Sequence, residues 1–146
     1  MSAEDEVLKA SAQFYAALNR MLNGDAGSLS DIWSHGPAVT TMHPIGGRQV
    51  GWSEVWAAWE QVAQLASEGK VELRDSLVRV AGDMACEVGV EDAEFKLGGQ
   101  KVAGQIRVTN LYQREPGGWK ITHHHTDLAP AMVEVVSRLQ PPPGKA

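Results

Sequence analysis

The chain has 146 residues, a net charge of -5 at pH 7 and 43% hydrophobic residues. This length fits one domain with a substantial core. The negative charge argues against nucleic acid or an anionic membrane as a partner, because phosphate groups bind to basic surfaces. No apolar run approaches the length of a membrane span, and the first residues lack a signal-peptide pattern. A single cysteine, Cys86, allows no internal disulfide, so we expect a cytoplasmic protein.

Hydrophobic spacing predicts mostly helices in the first half of the chain and strands in the second. The predicted elements of the first half are a helix from Val7 to Leu22, a short helix at Leu29–Trp33, a strand at Ala38–Met42, a turn at Gly46-Gly47 and a helix from Trp52 to Gly69. Those of the second half are strands at Val71–Val80, Met84–Leu97, Val102–Arg114 and Trp119–Thr126, and a helix from Pro130 to Leu139.

This order predicts a single α+β domain over residues 1–140, followed by a flexible proline-rich tail at 141–146. Helices would gather on one face of an antiparallel meander. A long twisted sheet that curls around a helix leaves a cone-shaped hollow, and such hollows commonly bind small molecules.

Three stretches resemble the nuclear-transport-factor-two-like superfamily, particularly its SnoaL-like and ketosteroid-isomerase-like bacterial members. They are "MHPIGG", the tryptophan-rich helix, and "RVTNLYQREPGGWKITHHHTD", and the resemblance extends over roughly residues 5–130. It implies a cone-shaped, cystatin-like α+β barrel, a deep pocket and usually a homodimer. The superfamily includes isomerases, cyclases and dehydratases as well as proteins that only bind or assemble, so the fold alone does not define a function.

The triplet His123-His124-His125 lies on the last predicted strand. Alternation places His123 and His125 on one face with Trp119 and Ile121, and Asp127 continues that face. Because the tryptophan and isoleucine are large and apolar, we expect this face to line the hollow. His124 would then point outward, to solvent or to a partner subunit.

Three roles remain open for the inward pair, His123 and His125. They could bind a metal ion with His43 or a carboxylate as a third ligand, form a hydrogen-bonded pair at the rim, or act as pocket acids and bases. Because no further spaced set of ligands is present, we expect neither a metal nor another cofactor. His43 precedes Pro44, which favours an extended backbone; it would lie at the pocket mouth or cap a turn.

The orientation of Arg107 is ambiguous from the pattern. An inward guanidinium would need an anionic ligand or an acidic partner such as Glu87 or Glu91, whereas an outward one would form a surface ion pair with the same acids. Asn110 or Arg107 could orient a substrate oxygen. The helical stripe that includes Trp52 and Trp56 would face the sheet, either as core or as a wall for a flat, apolar ligand.

We therefore expect a small-molecule pocket protein, with an isomerase, cyclase or dehydratase that transfers a proton on a carbonyl-bearing apolar metabolite as one hypothesis. The alternative is a non-catalytic ligand-binding or assembly domain, and in both cases we expect a homodimer that buries an exposed sheet face. The tyrosine and acid set of steroid isomerisation is not evident in the sequence. Expected catalytic residues are His43, His123 and Asp127, and expected substrate-binding residues are Trp33, Trp52, Trp56, Glu91, Arg107, Asn110 and His125.

Overall fold

Four helices and six strands form the part of the chain that our computed structural model describes, residues 1–139. The expected tail at 141–146 lies outside this range. In chain order the elements are α1 (Ala3–Met21), α2 (Leu29–Ile32), β1 (Thr40–His43), β2 (Gly46–Val50), α3 (Trp52–Leu65), β3 (Ala66–Ala81), β4 (Met84–Leu97), β5 (Gln100–Glu115), β6 (Gly118–Thr126) and α4 (Pro130–Leu139).

All six strands form one sheet in the order β2-β1-β6-β5-β4-β3. The three long strands β3, β4 and β5 and the shorter β6 make the predicted antiparallel meander. Strand β1 returns beside β6 in the parallel direction, with Thr41 opposite His124. This pairing brings the end of β1, and with it His43, next to the last strand. The predicted α+β class, with helices on a long antiparallel sheet, is confirmed.

Helix α1 crosses the concave face of the sheet and supplies much of the core. It begins with a capping box, in which the Ser2 hydroxyl accepts from the Asp5 amide at 3.1 Å and the Asp5 carboxylate accepts from the Ser2 amide at 3.2 Å. Phe14 and Leu18 lie on its buried stripe and are almost inaccessible to solvent. The helix therefore fills the hollow that the curved sheet would otherwise leave open.

Two asparagines on α1 bind the free edge of β3. The Asn19 side chain donates to the Val71 carbonyl at 3.0 Å and accepts from the Val71 amide at 2.9 Å. One helical turn later, Asn23 makes the same pair of bonds with Gly69, at 2.9 and 3.1 Å. The two amides thus occupy backbone groups that an edge strand leaves unpaired.

The end of α3 and the strand β2 are the largest departures from the sequence prediction. Helix α3 ends at Leu65 rather than at Gly69, because Ala66 and Ser67 already pair with Leu97 and Lys96 of β4. Long-range strand pairing thus overrides the local helical pattern. The residues 46–50, of which we expected only a turn, form β2; this strand pairs only with β1 and has no buried side chain, so it lacks an alternating apolar signal.

Gly69 provides a test of the packing between α1 and the sheet. A Cβ atom at this position would lie 2.5 Å from Leu22 Cβ and 2.9 Å from Phe95 Cβ, whereas a Cβ at Gly104 would meet nothing within 4 Å. We expect Gly69→Ala to lower the free energy of unfolding by about 2 kcal/mol or more, because the helix and the strand must separate. Gly104→Ala, the control, should leave it unchanged or raise it slightly. Urea denaturation of both variants measures the difference, and equal midpoints would contradict this packing.

Candidate functional site

An extra residue in β6 determines which histidines face the concave side of the sheet. In the pairing of β5 with β6, Tyr112 lies opposite Ile121 and Leu111 opposite His123, so Thr122 has no partner. A bulge of this kind reverses the alternation beyond it. Trp119 and Ile121 are buried before the bulge, and His124 and Thr126 are buried after it.

The expected orientation of the triplet is therefore wrong. His124, not the flanking pair, is buried on the concave side. His123 is half-buried on the convex side, where its Nδ1 lies 2.6 Å from the Thr40 hydroxyl, and His125 is exposed. The prediction assumed a regular strand, and the single unpaired residue invalidates it.

Arg107 and Asp127 also lie on the outside. The Arg107 side chain is 82% exposed and its Nε donates to Asp127 at 2.7 Å, so the inward alternative is wrong. The outward alternative is correct in orientation but named the wrong partners, since Glu87 and Glu91 are both buried. Alternation along β5 explains this: Ile106 faces inward, and its neighbour must face outward.

A mainly apolar cavity lies between α1, α3 and the concave face of the sheet. It contains about 70 Å³ that the centre of a water-sized molecule can reach, enough for several waters or a small organic compound. Among the residues described, three polar side chains line it: His43, Glu91 and His124. The apolar wall includes Leu18, Trp59, Phe95, Ile106 and Met132.

The tryptophans contribute less to this cavity than expected. The buried stripe of α3 is Val55, Trp59 and Ala63, at i, i+4 and i+8 spacing, and of its tryptophans only Trp59 lines the cavity. Trp52 and Trp56 lie beside this stripe, half-buried and off the cavity wall. Trp33, expected to bind substrate, lies in the core instead, packed against Phe14, Trp52 and Trp59.

Glu91 is the carboxyl group of the cavity. Burial raises its pKa to about 7, the hydroxyl of Tyr15 opposes this shift by donating to Oε2 at 2.8 Å, and the nearby Glu87 adds to it. A carboxyl group with this pKa is divided between its acid and its base form near neutral pH. It can therefore donate or accept a proton under the conditions of the cell.

The two imidazoles of the cavity are uncharged at neutral pH. Burial lowers the pKa of His43 to about 4. Burial, and then the neighbouring His43, lower the pKa of His124 well below its usual range. The two ring centres are 6.0 Å apart, and both rings contact Trp59, with His43 edge-on at 4.5 Å. Two neutral rings and one carboxyl group thus share a low-dielectric space.

Behind the cavity, Asn110 connects the polar groups to one another. Its Nδ2 donates to the Tyr15 hydroxyl at 3.0 Å and to Glu87 Oε1 at 3.1 Å. Its Oδ1 lies 2.7 Å from Nδ1 of His124. Tyr112 donates a second bond to Glu87 Oε1 at 2.8 Å. The result is one buried hydrogen-bond network that extends from Glu91 to His124.

Four side chains of this site were not among the site residues predicted from the sequence: Tyr15, Glu87, Tyr112 and His124. A signal for Glu87 was present, because it shares with the predicted Glu91 the parity of Ala85, Ala93 and Phe95, which makes an acidic pair on an otherwise apolar face of β4. For Tyr15 the signal was its position on the buried stripe of α1. No sequence signal reveals His124, because the bulge that turns it inward arises from pairing with β5.

The fold and site together define a class: α+β proteins with a curved antiparallel sheet and a largely apolar cavity that contains a few buried polar groups. A family model described as a SnoaL-like domain matches residues 7–131, and the chain belongs to this family. The family resemblance found in the sequence is confirmed. Among curated proteins, none matches the chain significantly.

Solved structures agree with this placement. A candidate dehydratase of the NTF2-like family from Streptomyces avermitilis is 27% identical, with a TM-score of 0.76, and the match covers 86% of this chain and 95% of that one. An NTF2-like superfamily protein from Salmonella enterica is 16% identical, with a TM-score of 0.76 and coverage of 99% and 96%. A candidate association domain of calcium/calmodulin-dependent protein kinase type II from Thiobacillus denitrificans is 23% identical, with a TM-score of 0.67 and coverage of 82% and 92%. The last two likenesses support the fold alone.

None of the helices within residues 1–139 combines the length and apolar character needed to cross a membrane. In the same range, no three His, Cys, Asp or Glu side chains converge as a set of metal ligands.

The raised pKa of Glu91 predicts a pH-dependent stability difference. Between the ordinary value of 4.5 and the folded value of about 7, the folded state binds a proton that the unfolded state does not. The stabilising contribution of Glu91 to the free energy of unfolding is therefore complete below pH 4.5 and is lost as the pH rises through 7. Relative to Glu91→Gln, the wild type should lose roughly 3 kcal/mol of unfolding free energy over this interval.

Urea unfolding of both proteins from pH 4 to pH 8 measures this difference, and subtraction removes the contributions that they share, including those of the histidines. Glu94→Gln is the matched control, since it changes an exposed carboxyl group on the same strand. A difference between wild type and Glu91→Gln that does not change with pH would contradict the assigned environment of Glu91.

Proposed function

We propose that the chain is a cofactor-independent enzyme that transfers a proton on a small, uncharged compound bearing a carbonyl or hydroxyl group. The observation that carries this proposal is the location of Glu91, with a pKa of about 7, in an apolar cavity that it shares with two neutral imidazoles. General acid–base catalysis is most effective when the pKa of the catalytic group lies near the working pH. Perturbed groups that converge in a pocket are typical of active sites.

The lining of the cavity supports the expected class of substrate. It contains no lysine or arginine among the residues described, so a carboxylate or phosphate would be buried there without a counter-charge. Its volume is well below the several hundred Å³ of pockets that hold drug-sized ligands. Both features favour a small neutral molecule, and a steroid-sized one would require the lining to move.

A dehydration illustrates how the groups could act. Nε2 of neutral His124 would remove a proton from the carbon next to a carbonyl, while Glu91 in its acid form would protonate the departing hydroxyl. A carbon–hydrogen and a carbon–oxygen bond break, a carbon–carbon double bond forms and water leaves. Proton exchange with solvent then restores both groups. An isomerisation needs only that the proton return to a different carbon. The dehydratase description of the Streptomyces avermitilis protein, which is 27% identical, supports this type of reaction.

In this proposal the catalytic residues are Glu91, His124 and His43. His43 contributes a neutral ring whose Nε2 is buried without a hydrogen-bond partner in the described chain, a group that a substrate oxygen could satisfy. His123 and Asp127, which the sequence suggested, have no part in it because they lie on the convex side. Trp59 replaces the other tryptophans as the aromatic wall.

The alternative is a pocket that binds a ligand without reaction. One observation favours it: His124 bonds to an amide rather than to a carboxylate, so no carboxylate directly strengthens this base. Proton exchange distinguishes the two functions, since a binding protein would be stabilised by a ligand without exchanging its protons.

Histidines 124 and 125 allow a matched test of catalysis. We expect the wild type to catalyse deuterium incorporation from heavy water into small uncharged ketones and β-hydroxy ketones, as followed by proton NMR. Both His124→Ala and Glu91→Gln should slow exchange by about 100-fold or more, because each removes an acid–base group. His125→Ala, one residue away and exposed, should retain the wild-type rate.

Loss of exchange in His125→Ala together with retention in His124→Ala would overturn the assignment. Thermal stabilisation by the same compounds without exchange in any protein would support the binding alternative instead.

We also propose that the protein is a homodimer formed through the convex face of the sheet. Leu77, Met84 and Val88 lie on the outer face of the β3–β4 hairpin, and their exposed fractions are 55%, 43% and 39%. A cluster of this kind on a sheet is commonly covered by a second copy of the chain.

Introducing a charge tests this interface. Leu77→Lys should reduce the sedimenting mass to that of the monomer, because a lysine at the centre of an apolar interface cannot be satisfied there. Leu8→Lys changes another exposed leucine, on α1, and should leave the dimer intact. Analytical ultracentrifugation at matched concentrations gives both masses. A monomeric wild type, or a dimeric Leu77→Lys, would refute the proposed face.

A further inference from the structure

We propose that Glu87 and Asn110 are positioning residues that hold His124 in its Nδ1–H tautomer and leave Nε2 as the unprotonated atom available to the cavity. The tautomer follows from the buried network alone. Its role in proton transfer rests on the proposed function.

The directions of the hydrogen bonds begin at Glu87. This side chain is completely buried, and its Oε1 lies within hydrogen-bond distance of Asn110 Nδ2 at 3.1 Å and of the Tyr112 hydroxyl at 2.8 Å. Its Oε2 has no hydrogen-bond partner in the described chain, whereas Oε1 faces both neighbours. Oε1 therefore accepts from both, and both neighbours donate to it. The amide of Asn110 is therefore oriented with its NH₂ group toward Glu87. The reversed amide would place two oxygens against each other between two fully buried side chains, which is very unfavourable.

The oriented amide then determines the proton position on His124. Once NH₂ faces Glu87, the Oδ1 of Asn110 is the atom 2.7 Å from Nδ1 of the imidazole. An amide oxygen can only accept, so Nδ1 must carry the hydrogen. The buried ring is neutral and has one proton, which leaves Nε2 with a free lone pair. Nε2 makes no hydrogen bond to another described residue, and the ring lines the cavity.

The same amide also orders the acid at the other end of the network. Its second hydrogen goes to the Tyr15 hydroxyl at 3.0 Å, so that the tyrosine must direct its own proton to Oε2 of Glu91 at 2.8 Å. With Oε2 accepting, the proton that Glu91 carries in its acid form lies on Oε1. One side chain, Asn110, thereby fixes the proton positions on both a base and an acid of the candidate site.

This arrangement explains why two acids are buried on one face of β4. Glu91 lines the cavity, but Glu87 is not on its wall and cannot touch a ligand there. An apolar residue would fill the position of Glu87 without the desolvation that a carboxylate suffers. What the carboxyl group adds is direction, because its Oε1 accepts hydrogen bonds from two donors.

Glu87→Gln removes this direction while preserving the size of the side chain. The new amide can present either its oxygen or its NH₂ to Asn110, so Asn110 is free to reverse. The wild type, labelled with ¹⁵N-histidine, should show His124 as the Nδ1–H tautomer in two-dimensional NMR, with the signal assigned by its loss in His124→Ala. In Glu87→Gln a measurable fraction should convert to the Nε2–H tautomer. Glu94→Gln on the exposed face of the same strand should leave the spectrum unchanged.

The activity readout accompanies the spectrum. Because the base is present only in part of the Glu87→Gln molecules, kcat for exchange should fall in proportion to the fraction that has converted to the Nε2–H tautomer, while KM changes little. An Nε2–H tautomer in the wild type overturns the proposal without any variant, and so does a Glu87→Gln spectrum that keeps Nδ1–H throughout. The expected tautomers without proton exchange in the wild type would support the positioning network and overturn the proposed function alone.

Discussion

Thr122, the unpaired residue of β6, is the feature on which the candidate site depends. Trp119 and Ile121 before it anchor the strand in the core, and the extra residue reverses the faces of everything after it. Without it, the central imidazole of the triplet would face outward and Asn110 would lose its partner. Strand β1 pairs in parallel with the part of β6 that follows the bulge, and this pairing brings His43 beside His124. A local irregularity in one ladder therefore assembles a cluster from three separate parts of the chain.

The second feature that determines the chemistry of the candidate site is the scarcity of positive charge around the buried acids. Neither Glu87 nor Glu91 forms a salt bridge in the described chain. Their hydrogen-bond donors are neutral tyrosine and asparagine side chains, and Oε2 of Glu87 has no donor among the described residues. Hydrogen bonds from neutral donors compensate burial only in part, so the pKa of Glu91 remains raised. The same environment keeps both imidazoles neutral. One physical cause, exclusion of water without compensating cations, thus produces a titratable acid and two uncharged bases in the same space.

The fold was more predictable from the sequence than the site. Long alternating strands, such as β4 at Met84–Leu97, and glycine-containing turns define the meander locally, and the order of elements defines the class. Strand β2 escaped prediction because none of its side chains is buried, and the end of α3 because pairing with β4 overrides a helical pattern. The orientations of His123, His124 and His125 depend on a bulge that only the partner strand β5 imposes. Alternation cannot foresee such an irregularity. The parity that Glu87 shares with Glu91 on β4 was visible, however, and could have added Glu87 to the predicted site beside Glu91.

The amides of Asn19 and Asn23 have a consequence for the behaviour of the protein at high concentration. Their bonds to Val71 and Gly69 occupy two successive stretches of backbone on the outermost strand of the sheet. An uncovered stretch would be a template on which extended segments of other molecules could add, the first step toward fibrous aggregates. Two side chains of the first helix thus cap this edge of the sheet, so that no seventh strand is needed to cover the backbone at these two positions.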